Sequence, residues 1–173
     1  ENRWVFGNPN KDILYVKADH YFKFDNHTLW HSAGVAVPVF SLRTDDGFGV
    51  GEFPDIKKLG DWANETKLSV IQILPINDTT ANYTWTDSYP YAAISVYALH
   101  PQYLSIEKLE YALPKDLVED YQAKKAELNA LSLIDYEQMI SGKWKYATAV
   151  FEANQEAILK DKNFKKFIKD NEE

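Results

Sequence analysis

Short apolar stretches alternate with amphipathic ones along this chain, and the pattern predicts where strands and helices lie. Val35–Phe40 and Leu68–Leu74 are apolar enough to be strands buried on both faces of a sheet. Between them, apolar residues recur at helical spacing from Pro54, which stands at the predicted first helical position, to about Thr66. This order of strand, helix and strand predicts a βαβ unit with parallel strands.

The segment before this unit has a strand-like pattern. Arg3–Phe6, Ile13–Val16 and Tyr21–Phe24 are short, apolar and separated by turn residues. Because two or three strands do not make an independent sheet, we expect them to be the end of another module. The chain also opens without a methionine, so we expect it to be a piece of a longer protein.

From Pro114 onward the pattern is helical. Asp135 is placed to cap a long helix. The predicted apolar stripe of this helix consists of Met139, Ile140, Trp144, Ala147, Phe151 and Ile158. An earlier helix is marked by Leu117, Tyr121, Leu128 and Leu131, and a short last one by Phe164, Phe167 and Ile168. Two strands followed by helices do not complete a barrel or a doubly wound sheet, which again indicates a fragment.

Composition narrows the classes of partner. The chain of 173 residues is 45% hydrophobic, which is enough for a packed domain, and its net charge of -7 argues against nucleic acid or an anionic membrane as the main partner. The longest apolar run, Ala33–Leu42, is too short to span a membrane. Without cysteine, the chain has no disulfide, thiolate nucleophile or cysteine zinc site, and it is compatible with a reducing compartment.

The candidate chemistry lies in the loop that follows the second predicted strand. Aromatic rings, hydroxyls and a carboxylate are concentrated here, at the carboxyl end of a strand, where α/β folds place ligand sites. Such side chains suit a sugar, which stacks on aromatic faces and forms hydrogen bonds. Tyr89 and Tyr91 flank Pro90 and are as well placed to face a ligand as to pack. The candidate residues are Trp85, Asp87, Ser88, Tyr89 and Tyr91.

Two carboxylates of this region are candidates for a catalytic pair in glycoside chemistry. Asp78 and Asp87 both follow the second strand. The interpretation that we favour is structural: Asp78 braces the turn after Pro75, and Asp87 shapes its own loop. We therefore assign no catalytic residue within this chain.

Other candidate sites have simpler explanations. Gly47, Gly49 and Gly51 lack the Lys-Ser/Thr pair of a phosphate loop, so we predict a tight turn between strand and helix. His27 and His31 have no further ligand nearby in sequence, so we predict no metal and no cofactor. Among the other tyrosines, we predict that Tyr97 and Tyr103 belong to the core.

Five stretches together resemble the start of the catalytic barrel of the 4-α-glucanotransferases, glycoside hydrolase family 77. They are His31–Arg43, Phe48–Glu52, Ile71–Thr80, Asp87–Tyr91 and Ala98–Tyr103. The residues of Asn77–Thr80 and Asp87–Tyr91 are similar to those of the subgroup that carries starch-binding modules ahead of the barrel. The resemblance implies an α/β fold. It would comprise the end of a β-sandwich starch-binding module (1–28), the first strand-helix units of a (β/α)8 TIM barrel (29–112) and a helical insertion (113–173).

The resemblance also implies a function. Members of the family transfer α-1,4-glucan segments between sugars with retention of configuration, through a covalent intermediate on an Asp, with a Glu as acid/base and a second Asp on the sugar hydroxyls. Nothing in this chain matches those three motifs, so the fragment alone is expected to be inactive. The expected partners are malto-oligosaccharides or α-glucans, and the expected location is the cytoplasm.

The family's sugar-contacting loop falls on Asp87, Ser88, Pro90 and Tyr91, with Tyr89 as an additional residue. The resemblance implies that Ser88 and Tyr91 contact the donor sugar, although the inserted Tyr89 leaves two tyrosines as candidates. Two other classes remain open: a non-catalytic glucan-binding or interaction module, and a purely structural α/β domain without sugar affinity. The incomplete barrel leaves a strand edge exposed, which favours self-association.

Overall fold

Residues 32–172 are described by a computed structural model, and their regular structure comprises a pair of strands and four α-helices, with short 3-10 turns between them. The strands are β1 (Gly34–Val37) and β2 (Val70–Ile73), and the helices are α1 (Phe53–Glu65), α2 (Lys115–Ala130), α3 (Tyr136–Lys160) and α4 (Lys162–Asp170). The strand-like stretches between Arg3 and Phe24 and the pair His27 and His31 lie outside the described residues.

The predicted βαβ unit is present. β1 and β2 pair in parallel, with Gly34 opposite Val70 and Val37 opposite Ile73, and α1 connects them. β1 is shorter than predicted because Pro38 has no N–H for the ladder, and Val39–Ser41 turn as a 3-10 helix instead.

The expectation that these strands are buried on both faces is wrong for the described residues. Along each strand, exposed positions alternate with half-buried ones. Between residues 32 and 172 the sheet has only these two strands, so one face of it stays open. Burial on both faces requires a covering layer on each side of the sheet.

α1 begins with a capping box. The Glu52 backbone N–H donates to Asp55 Oδ2 over 2.9 Å, and the Glu52 side chain accepts from the backbone of Asp55. Phe53 is the first helical residue, so Pro54 stands second rather than first. Since the second N–H of a helix also lacks a partner within the helix, proline is tolerated there.

The buried core lies between the glycine-rich turn and the helices rather than on the sheet. The Phe48 ring stacks on Tyr121 at 5.2 Å between centroids and meets the edge of Tyr146 at 5.7 Å. A Cβ on Gly142 would stand 2.7 Å from the Phe48 ring, so this position of α3 must be glycine for the turn to dock. The buried core consists of Phe48, Val50, Ile106, Tyr121, Leu128, Tyr136, Met139, Ile140, Tyr146 and Val150.

Polar contacts join the glycine-rich turn to the end of α2. Asn129 Oδ1 accepts from the Gly49 N–H over 2.9 Å, and Asn129 Nδ2 donates to Gly47 O over 2.9 Å. Arg43 donates to the carbonyl of Leu131 over 2.9 Å and to two others at the end of this helix. The turn therefore binds a helix terminus, which agrees with the structural interpretation of the glycine cluster.

The long helix follows its predicted cap but not all of its predicted stripe. Asp135 Oδ1 accepts from the Gln138 N–H over 3.0 Å, as expected of a cap. Met139 and Ile140 are buried, whereas Trp144 and Phe151 are exposed. The buried side instead passes through Lys143, Tyr146 and Val150. Because α3 packs against the turns around Glu52 and Gln102, the face of the helix that is buried differs from its most apolar face.

Candidate functional site

The candidate loop runs from the end of β2 and folds back on itself. Asn77 and Leu99 form an antiparallel bridge, the Asp78 N–H donates to Ala98 O over 2.9 Å, and the His100 N–H donates to Ile76 O over 2.9 Å. These bonds make the stretch from Ile76 to His100 a closed loop at the carboxyl end of a strand. This is the position that the sequence predicts for the ligand site.

Asp87 organises the inner part of this loop. Its Oδ2 accepts from the backbone N–H groups of Ala81, Asn82 and Tyr83 over 3.0, 2.7 and 2.7 Å. Tyr83 has a φ of 58°, which places it in the left-handed region, and the carboxylate contact helps to hold it there. Asp87 is itself buried, so the geometry fits the loop-shaping role rather than contact with a ligand.

The electrostatics of Asp87 agree with this role. Burial alone would raise the pKa of the carboxyl, but the three backbone donors outweigh it and hold the pKa below its ordinary value. Asp87 is therefore ionised at neutral pH, and it is unsuited to act as a general acid. Asp78 is also engaged in the loop, because its Oδ1 accepts from the Thr80 N–H over 2.9 Å.

Ser88 and Trp85 form one short turn that faces outward. The Ser88 hydroxyl donates to Trp85 O over 2.7 Å within the 3-10 turn Trp85–Ser88. Among residues 32–172 no group donates to Ser88 Oγ, so within the described part of the chain its lone pairs can accept a hydrogen bond from a ligand hydroxyl. The Trp85 side chain is 70% exposed and offers an aromatic face beside it.

The two tyrosines that flank Pro90 are both open to solvent. Tyr89 and Tyr91 are 60% and 61% exposed, and their ring centroids lie 5.6 Å apart at 51°. Neither ring is packed in the core, and both are accessible to a sugar. The two rings form one aromatic patch, so both tyrosines remain candidates for the stacking contact.

Of the two other tyrosines that were predicted to belong to the core, one is buried and one is exposed. Tyr103 is buried, as expected, and packs near Phe53 and His100. Tyr97 is 83% exposed, so the expectation that it belongs to the core is wrong. It lies in the outer part of the loop, where the described residues leave it uncovered.

Sequence reasoning missed two residues of α3 that contact the loop or its base. Glu137, in the first turn of α3, accepts from the Trp85 N–H over 3.2 Å. Tyr136 Oη lies 3.1 Å from His100 Nε2, and both side chains are buried. The Asp135 cap was the available signal, since it places the next residues at a helix N-terminus. Their distance from the loop in sequence concealed the contact.

The described residues offer contacts for a neutral polar ligand. Exposed aromatic faces lie beside a hydroxyl, and the buried carboxylate beneath them is occupied by backbone donors. Among residues 32–172 no cluster of His, Asp and Glu has the arrangement of a metal site. Within that range every helix is too short or too polar to cross a membrane.

Comparison with known proteins gives this geometry a context. The sequence profile of glycoside hydrolase family 77, described as 4-alpha-glucanotransferase, matches residues 37–173. The chain is 42% identical over 173 residues to the 4-alpha-glucanotransferase DPE2 of Oryza sativa subsp. japonica, an alignment that covers 95% of the chain and 18% of the rice protein.

Bacterial relatives match over a smaller share of the chain. Identity to the 4-alpha-glucanotransferase of Chlamydia caviae is 33% over 135 residues, or 78% of the chain and 24% of that protein. Identity to the 4-alpha-glucanotransferase of Chlamydia trachomatis is 35% over 128 residues, an alignment that covers 74% of the chain and 23% of that protein. The chain thus spans about a fifth to a quarter of the length of these relatives. On the strength of the family match, the chain belongs to glycoside hydrolase family 77, the 4-alpha-glucanotransferases.

Proposed function

We propose that the protein to which this chain belongs is a 4-α-glucanotransferase, which transfers α-1,4-glucan segments between malto-oligosaccharides or glucans with retention of configuration. The observation that carries the proposal is the family match over residues 37–173. The names of the rice and chlamydial relatives support it.

Within that protein, this chain supplies the first strand-helix units of a (β/α)8 barrel and the helical insertion that follows. The parallel pairing of β1 and β2 across α1 supports this assignment. Residues 1–28 are assigned to the end of a starch-binding module on the sequence resemblance alone. Location in the cytoplasm is likewise proposed from the subgroup that the sequence resembles.

The role of the chain in the reaction is to hold the donor sugar. Ser88 accepts a hydrogen bond from a sugar hydroxyl, and Tyr91 or Tyr89 stacks on a sugar ring. Trp85 adds a further aromatic face. Asp87 keeps the loop in shape through its backbone contacts.

The reacting carboxylates belong to other regions of the protein. Asp87, the buried carboxylate of the loop, is ionised and occupied by N–H donors. Since no stretch of this chain resembles the family's three carboxylate motifs either, the nucleophile, the acid/base and the third carboxylate are expected outside this chain. The chain by itself is then a glucan-contacting unit without transferase activity.

Sugar contact is tested by titrating the chain with maltose and longer malto-oligosaccharides in amide NMR spectra. We expect saturable shifts of the Trp85 indole and of the Ser88 and Tyr91 amides, reduced in Ser88→Ala and Tyr91→Ala. Tyr97→Ala is the matched control, because Tyr97 is an exposed tyrosine of the same loop outside the turn. Shifts that are equal in all variants would contradict the assignment.

Transferase activity is tested in the longer protein by following the disproportionation of maltotriose. Glucose and longer maltodextrins should appear together. Sugar binding without any such products would instead support a non-catalytic glucan-binding module.

A further inference from the structure

The first turn of α3 lies directly against the turn that carries Ser88. The Trp85 N–H donates to Glu137 Oε1 over 3.2 Å, although the two residues are far apart in sequence. Trp85, Ser88 and Tyr136 also line one cavity of about 210 Å³. The helical segment thus forms one wall behind the candidate sugar-contacting turn.

A buried hydrogen bond fixes that wall to the base of the loop. Tyr136 Oη and His100 Nε2 are 3.1 Å apart, and His100 Nδ1 accepts from the Gln102 N–H over 3.1 Å. Because Nδ1 is the acceptor, the neutral ring carries its proton on Nε2 and donates it to Tyr136 Oη. The Gln102 N–H therefore determines the tautomer of His100, and with it the direction of the hydrogen bond to Tyr136.

The protonation states keep this contact in place. Burial raises the pKa of Tyr136 to about 12, against a smaller opposing effect of the Thr80 hydroxyl. Burial also lowers the pKa of His100 from 6.5. At neutral pH the tyrosine hydroxyl is protonated and the imidazole is neutral, so the bond joins two uncharged groups.

We infer that Tyr136 and Glu137 are positioning residues for the glucan-contacting turn, and this inference rests on the proposed function. Glu137 holds the Trp85 backbone N–H from outside, and Tyr136 supports the turn from the buried side. Since the Ser88 hydroxyl is bonded to Trp85 O, displacement of Trp85 displaces the hydroxyl that meets the sugar. Neither residue needs to touch the sugar for this effect.

The inference is tested in the full-length protein by steady-state disproportionation of maltotriose, with Tyr136→Phe and Glu137→Ala. For Tyr136→Phe, which leaves the His100 donor unpaired, we expect KM to rise about tenfold. For Glu137→Ala, an exposed contact, we expect about a threefold rise. In both, kcat should change less than KM, because the turn binds the donor and does not react.

Two controls separate positioning from general stability. Tyr146→Phe removes another buried tyrosine hydroxyl from α3, one that donates to Asp120 Oδ2 over 2.8 Å away from the turn, and it should leave KM unchanged. Glu137→Gln keeps an acceptor oxygen for the Trp85 N–H and should restore KM to near the parent value. The melting temperature of each variant shows whether it is folded.

The outcomes are distinct. If Tyr136→Phe and Glu137→Ala leave KM unchanged while Ser88→Ala and Tyr91→Ala raise it, the positioning role is overturned and the sugar site stands. If Tyr136→Phe does not fold, Glu137→Ala and its Gln rescue decide the question. If neither Ser88→Ala nor Tyr91→Ala alters KM, the proposed sugar site itself is wrong.

Discussion

At the scale of single residues, Asp87 shows how one buried carboxylate shapes a surface loop. Three successive backbone N–H groups point at one oxygen, and the exposed residues on either side carry the candidate ligand contacts. Backbone donors that share one anion resemble a helix N-terminus in their electrostatics. The carboxylate therefore fixes the backbone, and the backbone places the aromatic side chains.

Replacing Asp87 with asparagine should loosen this loop. The amide oxygen is a weaker acceptor than the carboxylate, and the free energy of unfolding should fall by about 1–3 kcal/mol. Hydrogen exchange of the Ala81, Asn82 and Tyr83 amides should accelerate. Asp61→Asn, at an exposed position of α1, is the matched control. Unchanged exchange at the three amides would disprove the role of Asp87.

Buried His100 should make stability depend on pH. Its pKa is lowered by burial in the folded chain, whereas an unfolded histidine titrates near 6.5. Above pH 6.5 the stability is complete, and it should decline as the pH falls toward the folded pKa, because the unfolded state then binds the extra proton. Asp78 and Asp87 favour the protonated form, Lys143 opposes it, and Tyr136 accepts from the ring.

This dependence is measured by denaturant unfolding between pH 7 and pH 5. His100→Asn keeps an acceptor for the Gln102 N–H but does not titrate, so it should flatten the decline. The decline due to Asp87, whose pKa is lowered, belongs to more acidic pH, below the ordinary value of 3.8. A parent and a variant with the same pH profile would exclude the contribution of His100.

Contacts between residues near one another in sequence were predictable, and contacts made across the fold were not. The Asp135 cap and the loop-shaping tendency of Asp87 depend on neighbours within a few residues, so the sequence contains their signal. Tyr136 and His100 meet only because α3 docks on the loop. Tyr97 and Tyr103 are the same residue type, and only the tertiary fold separates the exposed one from the buried one.

At the scale of elements, a buried lysine joins α3 to the start of α1. Lys143 Nζ donates to Glu52 Oε1 over 2.7 Å, to Gln102 O over 2.5 Å and to Leu104 O over 2.7 Å. The three acceptors satisfy all three hydrogens of the ammonium group. Burial lowers the pKa of Lys143, and the nearby Glu52 carboxylate opposes that effect. Lys143 Nζ thus links α3 to the capping residue of α1, Glu52, and to the turn Pro101–Tyr103.

Removing this lysine should cost far more than removing a surface one. Lys143→Met leaves the Glu52 charge buried without its partner, so the free energy of unfolding should fall by about 3–5 kcal/mol. Lys145→Met on the same helix breaks a surface pair with Asp120 and should have a much smaller effect. Both values come from denaturant unfolding curves. An equal decrease in the free energy of unfolding in the two variants would show that the buried contact stabilises the fold no more than the surface pair does.

The helices were easier to predict from the sequence than the face that each one buries. Their spacing and caps are local, so α2, α3 and α4 occur where the pattern indicates. Lysine normally marks a solvent-facing position, and for this reason the predicted stripe does not include Lys143. The strands were predicted, but their burial depends on neighbours that the described residues do not include.

At the scale of the whole molecule, apolar surface remains open on the sheet and the outer loop. The open sheet positions include Gly34, Ala36 and Val70. In the outer loop, Ile94, Val96, Tyr97 and Leu99 are exposed. Patches of this kind mark surfaces that meet other regions of a protein or a partner. The predicted boundaries at 28/29 and 112/113 remain predictions, as does the module assigned to residues 1–28.

The isolated chain should therefore self-associate. Its short parallel sheet, as described for residues 32–172, has unpaired edges, and we expect the weight-average sedimentation coefficient to rise with concentration. Ala36→Lys places a charge on exposed β1 and should weaken the association. Ala153→Lys, at an exposed position of α3, is the matched control. If both variants behave like the parent, pairing at the sheet edge is not the cause.

The buried ammonium group of Lys143 also makes chemical reactivity a probe of how the fold opens. Reductive methylation requires an accessible amine, and Lys143 is only 1% exposed with its hydrogens already engaged. Exposed lysines such as Lys57 and Lys162 will react at once. Methylation of Lys143 has to wait until α3 separates from the start of α1. The rate at which Lys143 is methylated, followed by mass spectrometry, therefore measures how often this interface opens.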